Sequence, residues 1–249
     1  MALDTDITRR RALLAGGGTL AFGGGVTYLA SRPDSNPSDE TYVPEMSNRS
    51  DETTGFGAEL AGRPIAGDLN APIDVYYWTD YLCPFCARFE AETLPKLGRE
   101  YIDAGTARFV LLPYPTIGSY SMEAMVWSLC VWDVVADETP AAYWNWHHRV
   151  FERQSDAESG SDWATADAFA TITDETADVP LADVEACREE RSEAVRGPIQ
   201  DDLDLGQSAG IQGTPGFVVY NRETDAAGRI VGAQPYDNFA DAIEQVRNA

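Results

Sequence analysis

Two cysteines separated by two residues, Cys83 and Cys86, are the side chains of this sequence best suited to chemistry. Residues 72–77, just before them, are rich in β-branched and aromatic side chains, which predicts a strand. Apolar residues over 85–101 recur at a helical spacing, and Pro84 suits the first turn of a helix because that turn does not need its missing N–H. Cys83 is therefore expected at a helix N-terminus, where free N–H groups and the helix dipole stabilise a thiolate. Cys86, one turn further along, is expected to be buried and close enough to form a disulfide with Cys83.

Two other interpretations of this cysteine pair stay open. Zinc sites use the same spacing, but zinc needs further ligands and the sequence has no second Cys-x-x-Cys. The two histidines, His147 and His148, are adjacent in a helix-like stretch and so point in different directions. The pair is also compatible with a purely structural disulfide. The strand–helix setting favours redox chemistry over both, and no metal site is predicted.

A second motif lies far downstream at 213–217, where Thr214 and Pro215 open a strand-like run. Proline is allowed at the start of a strand because it need not donate a hydrogen bond to the sheet. With a cis bond before Pro215, the Thr214 backbone would turn outward and could pair with a neighbouring extended chain. An ordinary turn proline is the alternative, and the sequence does not distinguish the two.

The charge of the chain is extreme, with 41 acidic residues against 18 basic ones and a net charge of −23. Only one of the basic residues, Lys96, is a lysine. Such an acidic surface with almost no lysine resembles that of proteins from extreme halophiles, in which salt screens the self-repulsion. It argues against nucleic acid and against anionic membrane surfaces as partners.

The first 30 residues predict export. Basic residues at 9–11 precede 19 uncharged residues that are only mildly apolar, since six of them are glycines. The paired arginines, preceded by threonine and followed by leucine, resemble a twin-arginine signal. We expect 1–30 to be either a cleaved signal or a membrane anchor, because 19 residues are just enough to cross a bilayer. The polar and acidic composition of 31–57 predicts a disordered linker, and the folded domain is expected at 58–249.

The order of elements within 58–249 indicates an α/β fold. The strand before Cys83, the helix after it and a strand at 107–112 form a βαβ unit, so the two strands should be parallel. Helical periodicity then fills about 118–209, after which two strands and a closing helix follow. The implied architecture is an α/β sheet with a large helical insertion.

The remaining cysteines, Cys130 and Cys187, both fall in the helical block, on segments that can pack together. Since export leads to an oxidising compartment, we predict a structural disulfide between them. Two separately buried thiols, or a pair that relays electrons to Cys83 and Cys86, are the alternatives.

Together, the motifs at 79–86 and 213–217 resemble those of the DsbA-like thiol–disulfide oxidoreductases of the thioredoxin superfamily. The aromatic residues at 143–147 also resemble the start of a helix in the inserted helical domain of that family. The resemblance covers about 58–249. It implies a thioredoxin fold with a helical insertion at about 118–209 and a cis proline that faces the cysteines.

The same resemblance implies a function and a set of site residues. The protein would exchange disulfides with exported polypeptides outside the cytoplasm, and a membrane redox partner would renew the dithiol. The site residues implied are Cys83 as nucleophile, Cys86 as resolving thiol, Thr214 and Pro215 as holders of the substrate strand, and Pro84 and Phe85 as residues that tune the potential. No cofactor is expected, because the cysteines themselves carry the electrons.

The sequence departs from the family pattern at two positions. Strong oxidants of this family often carry a histidine where Phe85 stands, and a phenylalanine cannot hydrogen-bond the thiolate. Many relatives place a buried carboxylate six residues before the first cysteine as a proton relay, where this chain has Tyr77, a poor base at neutral pH. Water or Asp80 would then have to carry the proton, although a cap or turn role suits Asp80 better.

One function of a different class stays open. The dithiol could hold a soft metal such as Cu(I) and deliver it for cofactor assembly. Stoichiometric metal binding without dithiol turnover would favour that alternative over the enzyme.

Overall fold

The computed structural model describes residues 42–156 and 162–249. The strands are β1 (Ser47–Asn48), β2 (Ile65–Ala66), β3 (Ile73–Thr79), β4 (Ala107–Pro113), β5 (Gly216–Asn221) and β6 (Ala227–Val231). The helices are α1 (Pro84–Glu92), α2 (Leu94–Leu97), α3 (Ser121–Val135), α4 (Pro140–Asp156), α5 (Ala166–Glu175), α6 (Leu181–Ser208) and α7 (Tyr236–Arg247), with a π-helical turn at Gly98–Ile102. The signal or anchor predicted at 1–30 lies outside the described residues.

The strands form one sheet in the order β1-β2-β4-β3-β5-β6. β3 lies in its interior, parallel to β4 and antiparallel to β5. This arrangement confirms the predicted βαβ unit. Every residue of β3 is buried, so the end of the strand that leads to Cys83 is held firmly from both sides.

Alternate side chains of β3 enter two separate cores on the two faces of the sheet. Tyr77 lies on the face covered by α1 and α7, where its ring is 5.1 Å from that of Phe89. Tyr76 and Trp78 lie on the other face, which is covered by the segment around Phe56 and by the end of α6. The face under α1 is the one on which the inner cysteine packs.

The helical insertion lies between β4 and β5 and consists of α3 to α6. Cys130 on α3 and Cys187 on α6 form a disulfide, with Cα atoms 5.7 Å apart. The end of α6 returns to the sheet, where the Trp78 indole N–H donates to the Asp202 carbonyl at 2.8 Å. None of the helices within 42–156 and 162–249 is long and apolar enough to cross a membrane.

The sequence placed the start of the folded domain at Ala58, after a disordered linker, and the structure corrects that boundary. β1 precedes Ala58 and pairs with β2 at the edge of the sheet. The Tyr42 ring lies so close to Gly98 that a methyl group on that glycine would overlap it, and the Tyr42 hydroxyl donates to Asp103 at 3.0 Å. Polar composition predicted disorder, yet an aromatic anchor and a short strand pairing fix this segment. Residues 31–41 of the predicted linker lie outside the described residues.

Candidate active site around Cys83 and Cys86

The loop between β3 and α1 is held in place by Asp80, whose side chain is fully buried. Its Oδ1 accepts the N–H of Leu82 at 2.9 Å, and its Oδ2 accepts the N–H groups of Thr116 and Ile117, both at 2.9 Å. The Asp80 carbonyl also accepts the N–H of Cys83 at 2.9 Å. Both carboxylate oxygens are therefore committed to the backbone, and Asp80 fixes the turn.

Cys83 occupies the N-cap position of α1, and Pro84 is the first helical residue. The N–H of Cys86 donates to the Cys83 carbonyl at 3.0 Å, which closes the first turn of the helix. Both cysteines are free thiols and both are buried. Phe85, between them, is 53% exposed, and the Arg88 guanidinium lies 5.0 Å from the centre of its ring. The dithiol thus sits just beneath a surface that Pro84 and Phe85 form.

The downstream motif meets the cysteines at the start of β5. The peptide bond between Thr214 and Pro215 is cis. The Cys83 thiol donates to the Thr214 carbonyl at 3.2 Å, across a sequence separation of 131 residues. The N–H of Gly232 donates to the Pro215 carbonyl at 2.9 Å, which ties the motif to the end of β6. The two motifs, distant in sequence, therefore form one site.

The pKa values of the two thiols are shifted in opposite directions. The pKa of Cys83 is lowered from 9.0 to about 6, chiefly by its hydrogen bond with the Cys86 thiol. Burial opposes this effect. The Thr214 side chain and the N–H groups of Cys86 and Phe85 lower the pKa further. Burial raises the pKa of Cys86 well above 9.0, and the adjacent Cys83 raises it further. The Thr214 hydroxyl has no other hydrogen-bond partner among the described residues, so it is free to donate to a Cys83 thiolate. Because the thiolate is the reactive form, Cys83 is the sulfur prepared for attack.

Four of the five large apolar side chains that are exposed in the described part of the chain belong to segments that adjoin this site in sequence or in the sheet. They are Phe85, Ile117, Tyr120 and Val231, which we call the apolar rim. Ile117 belongs to the loop that Asp80 anchors, Tyr120 immediately precedes α3, and Val231 pairs with Gly216, next to Pro215. Of these residues only Phe85 was predictable from the sequence, because an exposed apolar residue in a loop has no periodic pattern. Exposed apolar residues that gather in this way mark an interaction surface.

Cys83 and Cys86 provide two soft ligands of the kind that Cu(I) prefers. Within 42–156 and 162–249, no group of three or more His, Cys, Asp and Glu side chains is arranged to hold a metal ion. Cys130 and Cys187 are joined to each other, so they add no thiol to the site. Of the two histidines considered as ligands, His147 is buried against Glu90, and His148 contacts Glu152.

A Cys-x-x-Cys at the start of a helix, facing a cis proline across a mixed sheet, defines a redox site of the thioredoxin type. The family model described as thioredoxin matches residues 60–245, and the chain belongs to this family. Disulfide bond formation protein D of Bacillus subtilis (strain 168) is 27% identical over 186 residues, which cover 75% of this chain and 78% of that protein.

Solved structures give the same result. The crystal structure of oxidised BdbD from Bacillus subtilis matches with a TM-score of 0.63 and 25% identity, covering 81% of this chain and all of that chain. The crystal structure of Wolbachia pipientis alpha-DsbA1 also matches with a TM-score of 0.63, at 18% identity over 79% of this chain and 96% of that one, which shows the shared fold. The protein is a DsbA-like thiol–disulfide oxidoreductase. The predicted fold class, a thioredoxin fold with an inserted helical domain, is confirmed, as is the predicted enzyme class.

Proposed function

We propose that the protein exchanges disulfides with polypeptides exported from the cytoplasm, with Cys83 as the nucleophile and Cys86 as the resolving thiol. The observation that carries this proposal is the geometry of the dithiol, because Cys83 caps α1 opposite the Thr214 carbonyl at 3.2 Å and Cys86 is fully buried in the first turn of the helix. The pKa shifts agree with this geometry, with a pKa of about 6 for Cys83 and a pKa raised well above 9.0 for Cys86. At neutral pH one sulfur is a thiolate just beneath the surface, and the other is a protonated thiol deeper in the core. This asymmetry suits attack by the first and resolution by the second.

In the direction of disulfide formation, a substrate thiolate attacks the Cys83 sulfur of the Cys83–Cys86 disulfide. A bond forms between the substrate and Cys83, the bond between the two cysteines breaks, and Cys86 leaves with the electron pair. A second substrate thiolate then attacks the substrate sulfur of this mixed disulfide and expels Cys83 as a thiolate. The substrate thiols are oxidised to a disulfide, and the two cysteines are reduced. The low pKa of Cys83 makes it a good leaving group in the second step.

We propose disulfide formation as the main direction of exchange. The name of the Bacillus subtilis relative, disulfide bond formation protein D, supports this direction. So does the low pKa of Cys83, because a stabilised thiolate favours the reduced form of the enzyme and hence oxidation of its substrates. Each turnover leaves the dithiol reduced, so an electron acceptor must reoxidise it. In this proposal a membrane redox partner does so, outside the cytoplasm, where the export segment at 1–30 delivers or anchors the protein.

The substrate is an extended polypeptide that lies beside Thr214 and Pro215. When Cys83 is protonated, its thiol donates to the Thr214 carbonyl at 3.2 Å. Once Cys83 is a thiolate or is bonded to a substrate, it no longer donates, and the carbonyl becomes available to a substrate N–H. The apolar rim then contacts side chains on either side of the substrate cysteine, which suits unfolded polypeptides that still expose apolar residues.

The test is a turnover assay with a reduced, unfolded polypeptide as substrate and a small disulfide as oxidant. Cys83→Ser should abolish turnover, and Cys86→Ser should accumulate mixed disulfides that mass analysis locates at Cys83. A variant with alanine at both Cys130 and Cys187 serves as the control and should keep its turnover. Full turnover by Cys83→Ser would refute the assignment. Stoichiometric Cu(I) binding by the dithiol with no turnover would instead support the metal-delivery alternative.

A further inference from the structure

The disulfide between Cys130 and Cys187 has to be formed by an oxidant that reaches these cysteines. In the folded insertion Cys130 on α3 is fully buried, and Cys187 on α6 is partly buried. Disulfide exchange begins when a thiolate attacks a sulfur of the oxidant, so the attacking thiol has to be accessible. Cys130 can therefore react with an external disulfide only in a copy whose insertion has not yet closed.

The segments around these two cysteines differ in charge. Residues 124–132, around Cys130, include two tryptophans and contain no charged side chain, and all of them are buried once α3 has packed. Residues 181–193, around Cys187, contain five acidic and two basic residues. An unfolded copy therefore exposes Cys130 within an apolar, uncharged segment and Cys187 within an acidic one.

The face around the dithiol is also uncharged. It is formed by the segments that carry the cysteines, the loop anchored by Asp80, the cis proline and the end of β6. Although 24% of the residues of the chain are charged, none of these four segments, 81–87, 113–122, 209–217 and 230–236, contains a charged residue. All four residues of the apolar rim belong to them.

Two copies of a protein with a net charge of −23 repel each other over most of their surfaces. Contact between copies is least unfavourable where both surfaces lack charge, because like charges placed opposite each other weaken binding. The face around the dithiol and the 124–132 segment of an unfolded copy meet this condition. They are also both apolar, so their contact removes apolar surface from water.

From this match we propose that the protein is a substrate of its own site. An oxidised, folded copy binds the 124–132 segment of a reduced, unfolded second copy on the face around the dithiol, and it oxidises Cys130 and Cys187 of that copy to their disulfide. The inference rests on the proposed function, because it names one substrate of that exchange. Cys130 makes the first attack, since the acidic segment around Cys187 suits the uncharged face less well.

The exchange follows the steps of the proposed function. The Cys130 thiolate of the second copy attacks the Cys83 sulfur of the folded copy, the bond between Cys83 and Cys86 breaks, and Cys86 leaves with the electron pair and takes up a proton. The Cys187 thiolate then attacks the Cys130 sulfur and expels Cys83 as a thiolate. Cys130 and Cys187 are oxidised and have lost their protons to water, while Cys83 and Cys86 are reduced. The electron acceptor that reoxidises the dithiol in other turnovers does so here.

The experiment uses a full-length substrate copy that carries Cys83→Ser and Cys86→Ser, so that Cys130 and Cys187 are its only thiols. It is reduced and kept in a urea concentration at which it is unfolded, whereas the intact enzyme, stabilised by its disulfide, stays folded. If no concentration separates the two, rates are measured immediately after dilution from urea. A catalytic amount of oxidised enzyme, with a small neutral disulfide as oxidant, should form the Cys130–Cys187 disulfide about tenfold or more faster than the small disulfide alone. Enzyme that carries Cys83→Ser should give no acceleration.

Two single-thiol substrate copies test which segment binds. Adding Cys187→Ser leaves only Cys130, and adding Cys130→Ser leaves only Cys187. Each copy reacts with enzyme that carries Cys86→Ala and holds glutathione on Cys83, and mass analysis follows its mixed disulfide with Cys83. Each rate is divided by the rate of the same copy with the small neutral disulfide, which removes differences in thiol pKa. The copy that keeps Cys130 should then react about fivefold or more faster.

A matched pair of charge insertions examines the contact itself. Val131→Asp places a charge beside Cys130 and should remove most of the advantage of the copy that keeps Cys130. Ala186→Asp places the same charge beside Cys187, in a segment that is already acidic, and should change the normalised rate of the other copy little. Both substitutions are made in unfolded substrate copies, so neither depends on folding.

Two results would overturn the inference. One is an enzyme that oxidises another reduced polypeptide but does not accelerate formation of the Cys130–Cys187 disulfide, which would leave the proposed function intact. The other is a normalised rate for the copy that keeps Cys187 equal to or above that of the copy that keeps Cys130, because 124–132 would then not be the segment that binds. Failure to oxidise any polypeptide would count against the proposed function itself.

Discussion

Replacing Cys86 by serine or by alanine separates the causes that lower the pKa of Cys83. The largest cause is the hydrogen bond with the Cys86 thiol, whereas the Thr214 side chain and the N–H groups at the start of α1 contribute less, and burial opposes them. Serine keeps a donor at this position, and alanine removes the donor without adding another group. The two variants therefore isolate the contribution of the inner thiol.

The expected change follows from the size of this hydrogen bond. At pH 7 a thiol with a pKa of about 6 is about nine-tenths ionised, and one with the ordinary pKa of 9.0 is about one-hundredth ionised. A hydrogen bond to a charged group contributes about 1.5 to 3 kcal/mol, which corresponds to about a tenfold to hundredfold change in the ionisation constant. We expect Cys86→Ala to raise the pKa of Cys83 to about 7 or 8. Cys86→Ser should leave it near 6.

The assay is the rate of Cys83 alkylation by iodoacetamide as a function of pH, because only the thiolate reacts. The chain has four cysteines, and Cys130 and Cys187 are joined in a disulfide. In either variant Cys83 is therefore the single free thiol, and the midpoint of the rate profile gives its pKa directly.

Two outcomes would refute this reasoning. A pKa near 6 in both variants would assign the effect to the helix N-terminus and Thr214 rather than to the inner thiol. A pKa near 9.0 in both variants would mean that a hydroxyl donor cannot replace the thiol, and that the remaining N–H groups contribute nothing measurable.

Alanine at both Cys130 and Cys187 should lower the free energy of unfolding by about 4 kcal/mol, since their disulfide closes a loop over a sequence separation of 57 residues. Urea unfolding measures this loss, and a value below about 1 kcal/mol would contradict the loop-closure argument. The net charge of −23 predicts that the midpoint temperature of thermal unfolding rises with KCl concentration, because salt screens the repulsion between acidic groups. A midpoint that does not change with salt would count against a halophilic protein. Gly98→Ala should cost about 1 to 3 kcal/mol because its methyl group would overlap the Tyr42 ring. In a protein that already carries Tyr42→Ala, Gly98→Ala should lower the free energy of unfolding by much less. Equal losses in the two backgrounds would mean that Tyr42 does not pack against Gly98.

Local patterns predicted the centre of the site because its parts belong to one strand, one turn and one helix. Residues 72–101 switch from strand-like to helical character around Cys83, and the structure has β3 and α1 on either side of it. The motif at Thr214 and Pro215 was recognisable for a similar reason, since a proline opens a strand there. The meeting of the two motifs followed from resemblance to a family rather than from the residues alone.

Contacts between segments that are distant in the chain could not be predicted from the sequence. Glu90 and His147 are 57 residues apart and meet only because α4 packs against α1. The one signal available was a charged residue one turn after Cys86 on an otherwise apolar helix face, and an exposed glutamate would give the same pattern. The position of Tyr42 against Gly98 was hidden in the same way, because a single aromatic residue in a polar segment has no period to detect.

The sequence also does not predict on which face of the sheet Tyr77 lies. Residues 76–78 are three consecutive large aromatic residues, and an alternating strand pattern requires contrast between neighbours. Nothing in this run tells which aromatic side chain lies beneath α1. A shift of one residue would exchange Tyr77 for Tyr76 on the face where the inner cysteine packs.

The other end of β3 decides between these two arrangements. Asp74 is fully buried on the same face as Tyr76, where its carboxylate accepts the Nε–H of Arg108 at 2.5 Å, opposite it on β4. A shift of β3 by one residue would move the Asp74 carboxylate to the face under α1, away from Arg108. Leaving one partner of a buried ion pair unpaired costs about 3 to 5 kcal/mol, so the pair strongly disfavours that arrangement. An ion pair far from the cysteines therefore keeps Tyr77 on the face where Cys86 packs.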